Sequence, residues 1–263
     1  MSHTLYDNFI ISNKVANFLN TKLEHSPFYT LDTSLTQDAG MTKTVNVYTA
    51  SGNVRDVAAG EGNLDADGVA VSFTPVDYVA KYTQGFLSYT DEDEMKDANV
   101  VTVGTEKMAG NMANDLTTKF YTELAKTTQT DTYPIAGLDY ATITDAIAVL
   151  GEDETGLFML INPAQKAQLR KSLKDDLKYS EGFSRTGYIG SVNNVPVYVS
   201  AAVPADTCYI ATAEAVTVFV KKDVETEQTR DANIRTNKIY TRRCNVVALT
   251  DNSKALKLTK ALS

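Results

Sequence analysis

Between residues 43 and 90 the chain alternates polar and apolar residues twice, with a long polar interval between the two runs. KTVNVYTA carries the first alternation, Gly52, Gly60, Gly62 and Gly68 punctuate the interval, and GVAVSF resumes the pattern. A period of two on both sides of a glycine- and aspartate-rich stretch specifies a long two-stranded ribbon with an extended tip. Residues 53–68 hold only Val54, Val57 and Leu64 as sizeable aliphatic side chains. Such a ribbon cannot bury itself against its own domain, and an isolated hairpin is marginally stable in water. The chain is therefore expected to draw support for this element from outside its own core.

The remaining pattern is mixed α and β. Residues 5–24 place Leu5, Phe9, Ile10, Ala16, Phe18, Leu19 and Leu23 at loosely helical spacing. They read as an N-terminal arm that docks on another surface, such as a neighbouring subunit, and Pro27 ends it. Met108, Met112, Leu116, Phe120 and Leu124 recur every four residues, which predicts a helix over about 92–126. Thr90 and the acids Asp91–Glu94 suit its capped, dipole-positive start. Beyond Pro134, Ile143, Ala146, Ile147 and Leu150 predict a short helix stopped by Gly151. LFMLI (157–161) predicts a strand buried on both faces. Asn162-Pro163 opens a helix running to about Leu177, and Asn193-Asn194 turns a hairpin whose return strand is VPVYVS. CYIAT and VTVFV predict short strands, residues 222–250 a long charged hairpin, and ALKLTKAL a closing segment.

Composition narrows the class. A chain of 263 residues with 43% hydrophobic and 22% charged content supports one large domain or two modest ones. No run of eighteen apolar residues offers a membrane helix, and the N-terminus lacks a secretory pattern. Cys208 and Cys244 are too few for a disulfide framework. The net charge of -8 divides unevenly: residues 214–263 hold ten Lys/Arg against six Asp/Glu, the rest fifteen against twenty-seven. An acidic body with a basic C-terminal fifth suits pairing between copies of the chain rather than sequence-specific nucleic-acid binding.

Catalytic patterns are missing from the sequence. His3 and His25 both fall in the arm, so a triad with Cys208 or Cys244 has no local signature. Asp65-Ala66-Asp67-Gly68 lacks the ligand spacing of a calcium loop and reads as a turn; Asp91–Glu94 reads as a helix start. Gly60-Glu61-Gly62 begins a dinucleotide fingerprint, but the third glycine position is Asp65. No catalytic residue, cofactor or metal site is expected.

The stretches GMTKTVNVYTASGNVRDVAAGEGN (40–63), FLSYTDEDEMKD (86–97), GLFMLINPAQKAQLRK (156–171) and VPVYVSAAVPADTCYIATAEAVTVFVKKDVETEQTRDANIRTNKIYTRR (195–243) occur in an informative order. Their wording and sequence of elements resemble the major capsid proteins of tailed double-stranded-DNA phages built on the Hong Kong 97 phage fold. The resemblance implies an α+β chain with an N-terminal arm (1–31) and an extended β-ribbon loop (44–76). It also implies a peripheral domain with a long spine helix (32–43, 77–132 and 217–245) and an axial α/β domain (133–216 and 246–263). The implied function is a shell subunit forming hexamers and pentamers around double-stranded DNA in a virion assembled in the host bacterial cytoplasm. Implied partners are the chain itself, a portal and a separate scaffolding protein; with no scaffolding segment expected ahead of the arm, scaffolding comes from a separate protein or is unnecessary. Candidate intersubunit contacts are Arg55, Asp56, Glu61 and Asp65 on the ribbon and Glu225, Glu227, Arg242 and Arg243 on the charged hairpin; pairing of these last four across the hairpin itself is the equal alternative. Some relatives weld subunits through a lysine in the extended loop. Here the interval 44–80 contains none, with Lys43 at the base. An encapsulin-like nanocompartment shell shares the implied fold and is the alternative; a cytosolic hydrolase is the remote one.

Overall fold

A computed structural model describes residues 8–22, 26–37, 39–51, 68–151, 156–173 and 190–261, with positions 56, 59, 60 and 62 between the ribbon strands. The continuous apolar run Leu157–Ile161 forms strand β6, and every residue of it is buried. Its alternation feeds two cores. Leu157, Met159 and Ile161 pack with Ile143, Ile147 and Leu169, whereas Phe158 and Leu160 pack with Leu116 and Phe120. Strand β6 sits inside a six-stranded sheet ordered β5 (Thr130–Tyr133), β12 (Ala255–Lys260), β9 (Thr207–Thr212), β6, β8 (Val195–Val199), β7 (Ser191–Val192).

Local signals place the elements around that sheet. Helix α5 (Pro163–Ser172) starts in a reciprocal cap: Asn162 Oδ1 accepts from Ala164 N at 3.0 Å, and Gln165 Oε1 accepts from Asn162 N at 2.9 Å. Helix α4 (Tyr140–Val149) starts at Asp139, whose carboxylate accepts from Thr142 N, and ends before Gly151 at φ +94. Asn193 and Asn194, both at positive φ (47 and 62), turn β7 into β8.

A second, four-stranded sheet is ordered β1 (Thr30–Asp32), β10 (Val216–Asp231), β11 (Thr236–Leu249), β4 (Lys81–Thr90). The residue pattern alone separates VTVFV from a hairpin beginning at 222. The two are one sixteen-residue strand, β10, carried through register shifts between Val220 and Lys222 and between Lys222 and Glu225. Helix α3 (Val100–Leu124) lies on one face of this sheet and, at about 37 Å, reaches from the cluster around Met108 to that around Phe120. Gly104 permits the close approach: a Cβ there would stand 2.5 Å from Leu87 Cδ2.

The single helix expected over 92–126 is two. Helix α2 (Asp91–Lys96) opens with a capping box between Thr90 and Asp93 and stops at Asp97, which is extended. Asp97 Oδ1 accepts from Asn99 N at 2.9 Å, a local turn that competes with helix continuation. The β-branched Val100, Val101 and Val103 fall inside α3, where burial of Val101 offsets their weak helix preference.

The arm is also corrected. Helix α1 (Asn8–Lys22) docks within its own chain, with Ile11, Val15 and Leu19 buried among Met108, Met112 and Tyr89. That four-residue seam is offset from the expected one: Ile10 is exposed, Phe18 is partly buried, and only Leu19 belongs to both sets. Residues 1–7 and 23–25, including Leu5, Leu23, His3 and His25, lie outside the described residues.

Candidate assembly surfaces

Strands β2 (Thr42–Ser51) and β3 (Ala70–Val79) form a sheet of their own, paired antiparallel from Thr42↔Val79 to Ser51↔Ala70. Ten residues of strand carry the ribbon about 33 Å from its base. The base is anchored. Val45 and Tyr78 pack on Leu35, Phe219 and Ala248, Thr44 Oγ1 donates to Asp77 Oδ1 at 2.6 Å, and Lys43 Nζ stands 5.2 Å from the Phe219 ring. Burial, then the nearby Glu123 carboxylate, pushes the Tyr78 phenol above its ordinary pKa.

Further out the ribbon is open. Every residue of β3 except Tyr78 is exposed, and the odd positions Val69, Val71 and Phe73 form an apolar stripe, each more than 60% exposed. The alternation GVAVSF carries this stripe in plain view, where it states a strand but no contact.

The second surface is the face of the four-stranded sheet turned away from α3. On β4, Thr83, Gly85 and Leu87 face the helix, as the Thr83–Asp115 hydrogen bond and the approaches of Met108 and Gly104 show. The intervening Tyr82 and Phe86 turn outward and are 53% and 61% exposed. Tyr240, opposite Phe86 in register, sets its ring 5.8 Å from it. Arg242 holds its guanidinium 6.0 Å from the Tyr82 ring.

The candidate charges fall as follows. Arg242 donates to Glu225 Oε2 at 2.7 Å and to Glu227 Oε1 at 2.9 Å, with Lys222 also 2.8 Å from Glu225. The bond from Arg242, followed by that from Lys222, holds the Glu225 carboxyl below its usual range, and the Glu225 bond raises Arg242. Arg243 points elsewhere: its side chain is 11% exposed, with Nε 3.9 Å from Asp223. Arg242 thus has Glu225 and Glu227 as partners across the hairpin in its own chain. Asp56 is exposed, while Arg55, Glu61 and Asp65 lie outside the described residues.

Both cysteines are free and buried, and burial drives the Cys208 thiol far above its ordinary pKa, as expected of inert packing residues. Among the described residues no group of three or more His, Cys, Asp or Glu gathers as a metal site would require, and no helix is long and apolar enough to cross a membrane.

A family model described as phage capsid protein matches residues 76–258. Among solved structures, the capsid of a native GTA particle is similar over 100% of this chain and 93% of that one, with TM-score 0.72 and 10% identity. The capsid of cyanophage P-SCSP1u covers 90% of this chain and 87% of its own, at TM-score 0.67 and 12% identity. A virus-like particle from Pyrococcus furiosus covers 95% and 98%, at TM-score 0.64 and 12% identity. A comparison with curated proteins found no match.

Proposed function

This chain belongs to the phage capsid protein family, and on that premise we propose that its copies form hexameric and pentameric rings closing into a shell around double-stranded DNA. The family's role is structural: the chain is a component of a phage-like icosahedral head and not an enzyme. The observation that carries the reading is the ribbon. It projects about 33 Å with an exposed apolar stripe and an anchored base, the form of an element whose covering surface belongs to another subunit.

In this reading residues 44–76 lie over the adjacent subunit. Residues 32–43, 77–132 and 217–245 form a peripheral domain, residues 133–216 and 246–263 an axial domain at the capsomer centre, and residues 1–31 the arm. The division is supported by the separate four- and six-stranded sheets and by the placement of α3. Arg55, Asp56, Glu61 and Asp65, which stand between β2 and β3 in the sequence, and Glu225, Glu227, Arg242 and Arg243 of the hairpin contribute polar contacts between copies. DNA is enclosed without sequence reading, and a portal and a separate scaffolding protein complete the assembly.

Likeness to the Pyrococcus furiosus virus-like particle supports a second reading, an encapsulin-like compartment. Gel filtration and electron microscopy of the purified chain test both. Shells are the expected result, and a stable monomer under every assembly condition overturns the proposal. Particles from the native host should contain DNA; protein cargo in its place favours the compartment.

A further inference from the structure

We propose that a cavity at the base of the ribbon binds a linear aliphatic diamine, with one ammonium seated at Glu123 and Asn245 and the other at Asp77. The inference goes beyond the shell reading and concerns a small-molecule site within the single chain.

The fold itself opens this cavity. Strand β4 pairs with β11 only as far as Lys81↔Asn245, so β11 runs on through Val246 and Val247 with no strand of the sheet beside them. The end of β3 and the last turns of α3 flank that gap and leave a cavity of about 420 Å³. Tyr78, Val79 and Val247 give it apolar walls. Polar side chains set into such walls fix the orientation of a bound ligand.

The polar groups here are short of donors. Asn245 lines the cavity and is 5% exposed, yet its Oδ1 has no hydrogen-bond partner. Glu123 gives one oxygen to Lys126 Nζ at 2.6 Å and has no partner for Oε2. Thr118 and Thr122 spend their hydroxyl protons on helix carbonyls, so towards a ligand they offer acceptors too. Unmatched buried acceptors are costly, and a ligand that brings N–H groups relieves them. Asn and Glu side chains end in soft torsions, so a small rotation turns either free oxygen towards an occupant.

Charge narrows the ligand class. Among the described residues no three acidic, His or Cys groups gather as a metal would need, whereas an ammonium needs only hydrogen-bond acceptors. Two carboxylates line the cavity, Glu123 within and the exposed Asp77. With apolar wall beside them, they match two ammonium groups joined by methylenes. The Tyr78 ring already has a cation near it, Lys126 Nζ at 5.9 Å from its centroid. Of the lining cations, Lys119 is matched by Asp115 at 2.6 Å, and the exposed Lys81 opposes the ligand.

The test is calorimetric titration of 1,4-diaminobutane into the purified full chain. Saturable binding of one diamine per chain is expected, with slower amide exchange over residues 77–81. Glu123→Gln should weaken binding at least about tenfold, because a hydrogen bond to a charged group loses its charge. Lys81→Met should tighten it. Asp223→Asn, which removes a 79% exposed carboxylate outside the cavity, should bind as the native chain does. Tetramethylammonium, a cation without N–H donors, should not compete. If Glu123→Gln fails to fold, Asp77→Asn at its exposed position takes its place with the same expected loss. Absence of saturable heat, unchanged affinity in the cavity variant, equal weakening by Asp223→Asn, or displacement by tetramethylammonium each overturns the site. None of these results bears on whether the chain builds shells.

Discussion

The β2–β3 ribbon and the β10–β11 hairpin are both long antiparallel pairs, yet their side chains are treated in opposite ways. Strands β10 and β11 are flanked by β1 and β4, and one face is covered by α1 and α3, so that Val218, Ile239 and Thr241 are almost inaccessible. The ribbon has no flanking strand among the described residues, and β3 is open to solvent along nearly its whole length. Both are antiparallel ladders, unbroken in the ribbon and shifted twice in the hairpin. What differs is where apolar burial comes from: the hairpin finds it inside its own chain, and the ribbon must find it on another.

The strongest way to break this contrast is to delete the ribbon's end. Replacing residues 53–68 with an Asn-Gly turn removes three sizeable aliphatic residues and leaves the anchored base intact. A soluble chain with a cooperative melt is expected, forming isolated rings at most and no closed shells. A loss of even ~1.4 kcal/mol per contact weakens each association about tenfold, and a shell repeats that loss at every subunit. An unfolded product would place the ribbon in the core; normal shells would make it dispensable.

Next in size is a matched pair of truncations. Ile239→Ala should lower unfolding free energy by about 2–5 kcal/mol, since Ile239 is 1% exposed in the cluster joining α1, α3 and the sheet. Val71→Ala, at 61% exposure, should stay within about 0.5 kcal/mol while reducing shell yield. Chemical denaturation and particle counts on both variants measure the contrast. Equal destabilisation by the two would abolish it.

Signals confined to a few neighbouring residues were legible in the sequence. LFMLI, Asn162-Pro163, Asn193-Asn194 and Gly151 each state a local geometry, and each is found. The features that escaped depend on partners far along the chain. Ile11, Val15 and Leu19 do stand at helical spacing, but adjacent Phe9, Ile10 and Phe18 widen the apolar arc, and only contact with α3 selects the seam. The Arg242–Glu225 pair depends on register. Extending the pairing Val216↔Leu249 without interruption would put Glu225 opposite Tyr240, and the two shifts in β10 bring it to Arg242 instead. The ribbon's stripe was visible as alternation, but no local pattern states which surface receives it.

A smaller effect is expected where α3 meets the sheet behind the hairpin. Gly104→Ala gains about 1 kcal/mol of helix propensity but sets a methyl group 2.5 Å from Leu87 Cδ2, and overpacking costs about 1–3 kcal/mol. The net result should be a loss of about 1 kcal/mol, relieved when Leu87→Ala is added. A higher melting temperature in Gly104→Ala alone would show that the close approach does not constrain the hairpin's backing.

The smallest effect tests whether the charges on the hairpin's outward face belong to the chain or to the shell. Glu225 is held below its ordinary value, 4.5, first by the bond from Arg242 and then by that from Lys222. A lowered carboxyl favours the folded state fully above its unfolded value, and that contribution fades as pH falls through the lower folded value. Melting curves of the native chain and Glu225→Gln should therefore differ slightly near neutrality and converge below pH 4.5. The shift should be small, because exposed ion pairs are screened and weakly stabilising. Shell yield supplies the second axis. If the pair serves only the hairpin, Glu225→Gln leaves yield unchanged. If yield collapses while melting does not, the carboxylate also meets a neighbouring copy, and the hairpin shares the ribbon's dependence on other subunits. Glu227 is the control. It is 60% exposed and shares Arg242, so a loss of yield in Glu227→Gln as well would locate the contact on the sheet face, not on one residue.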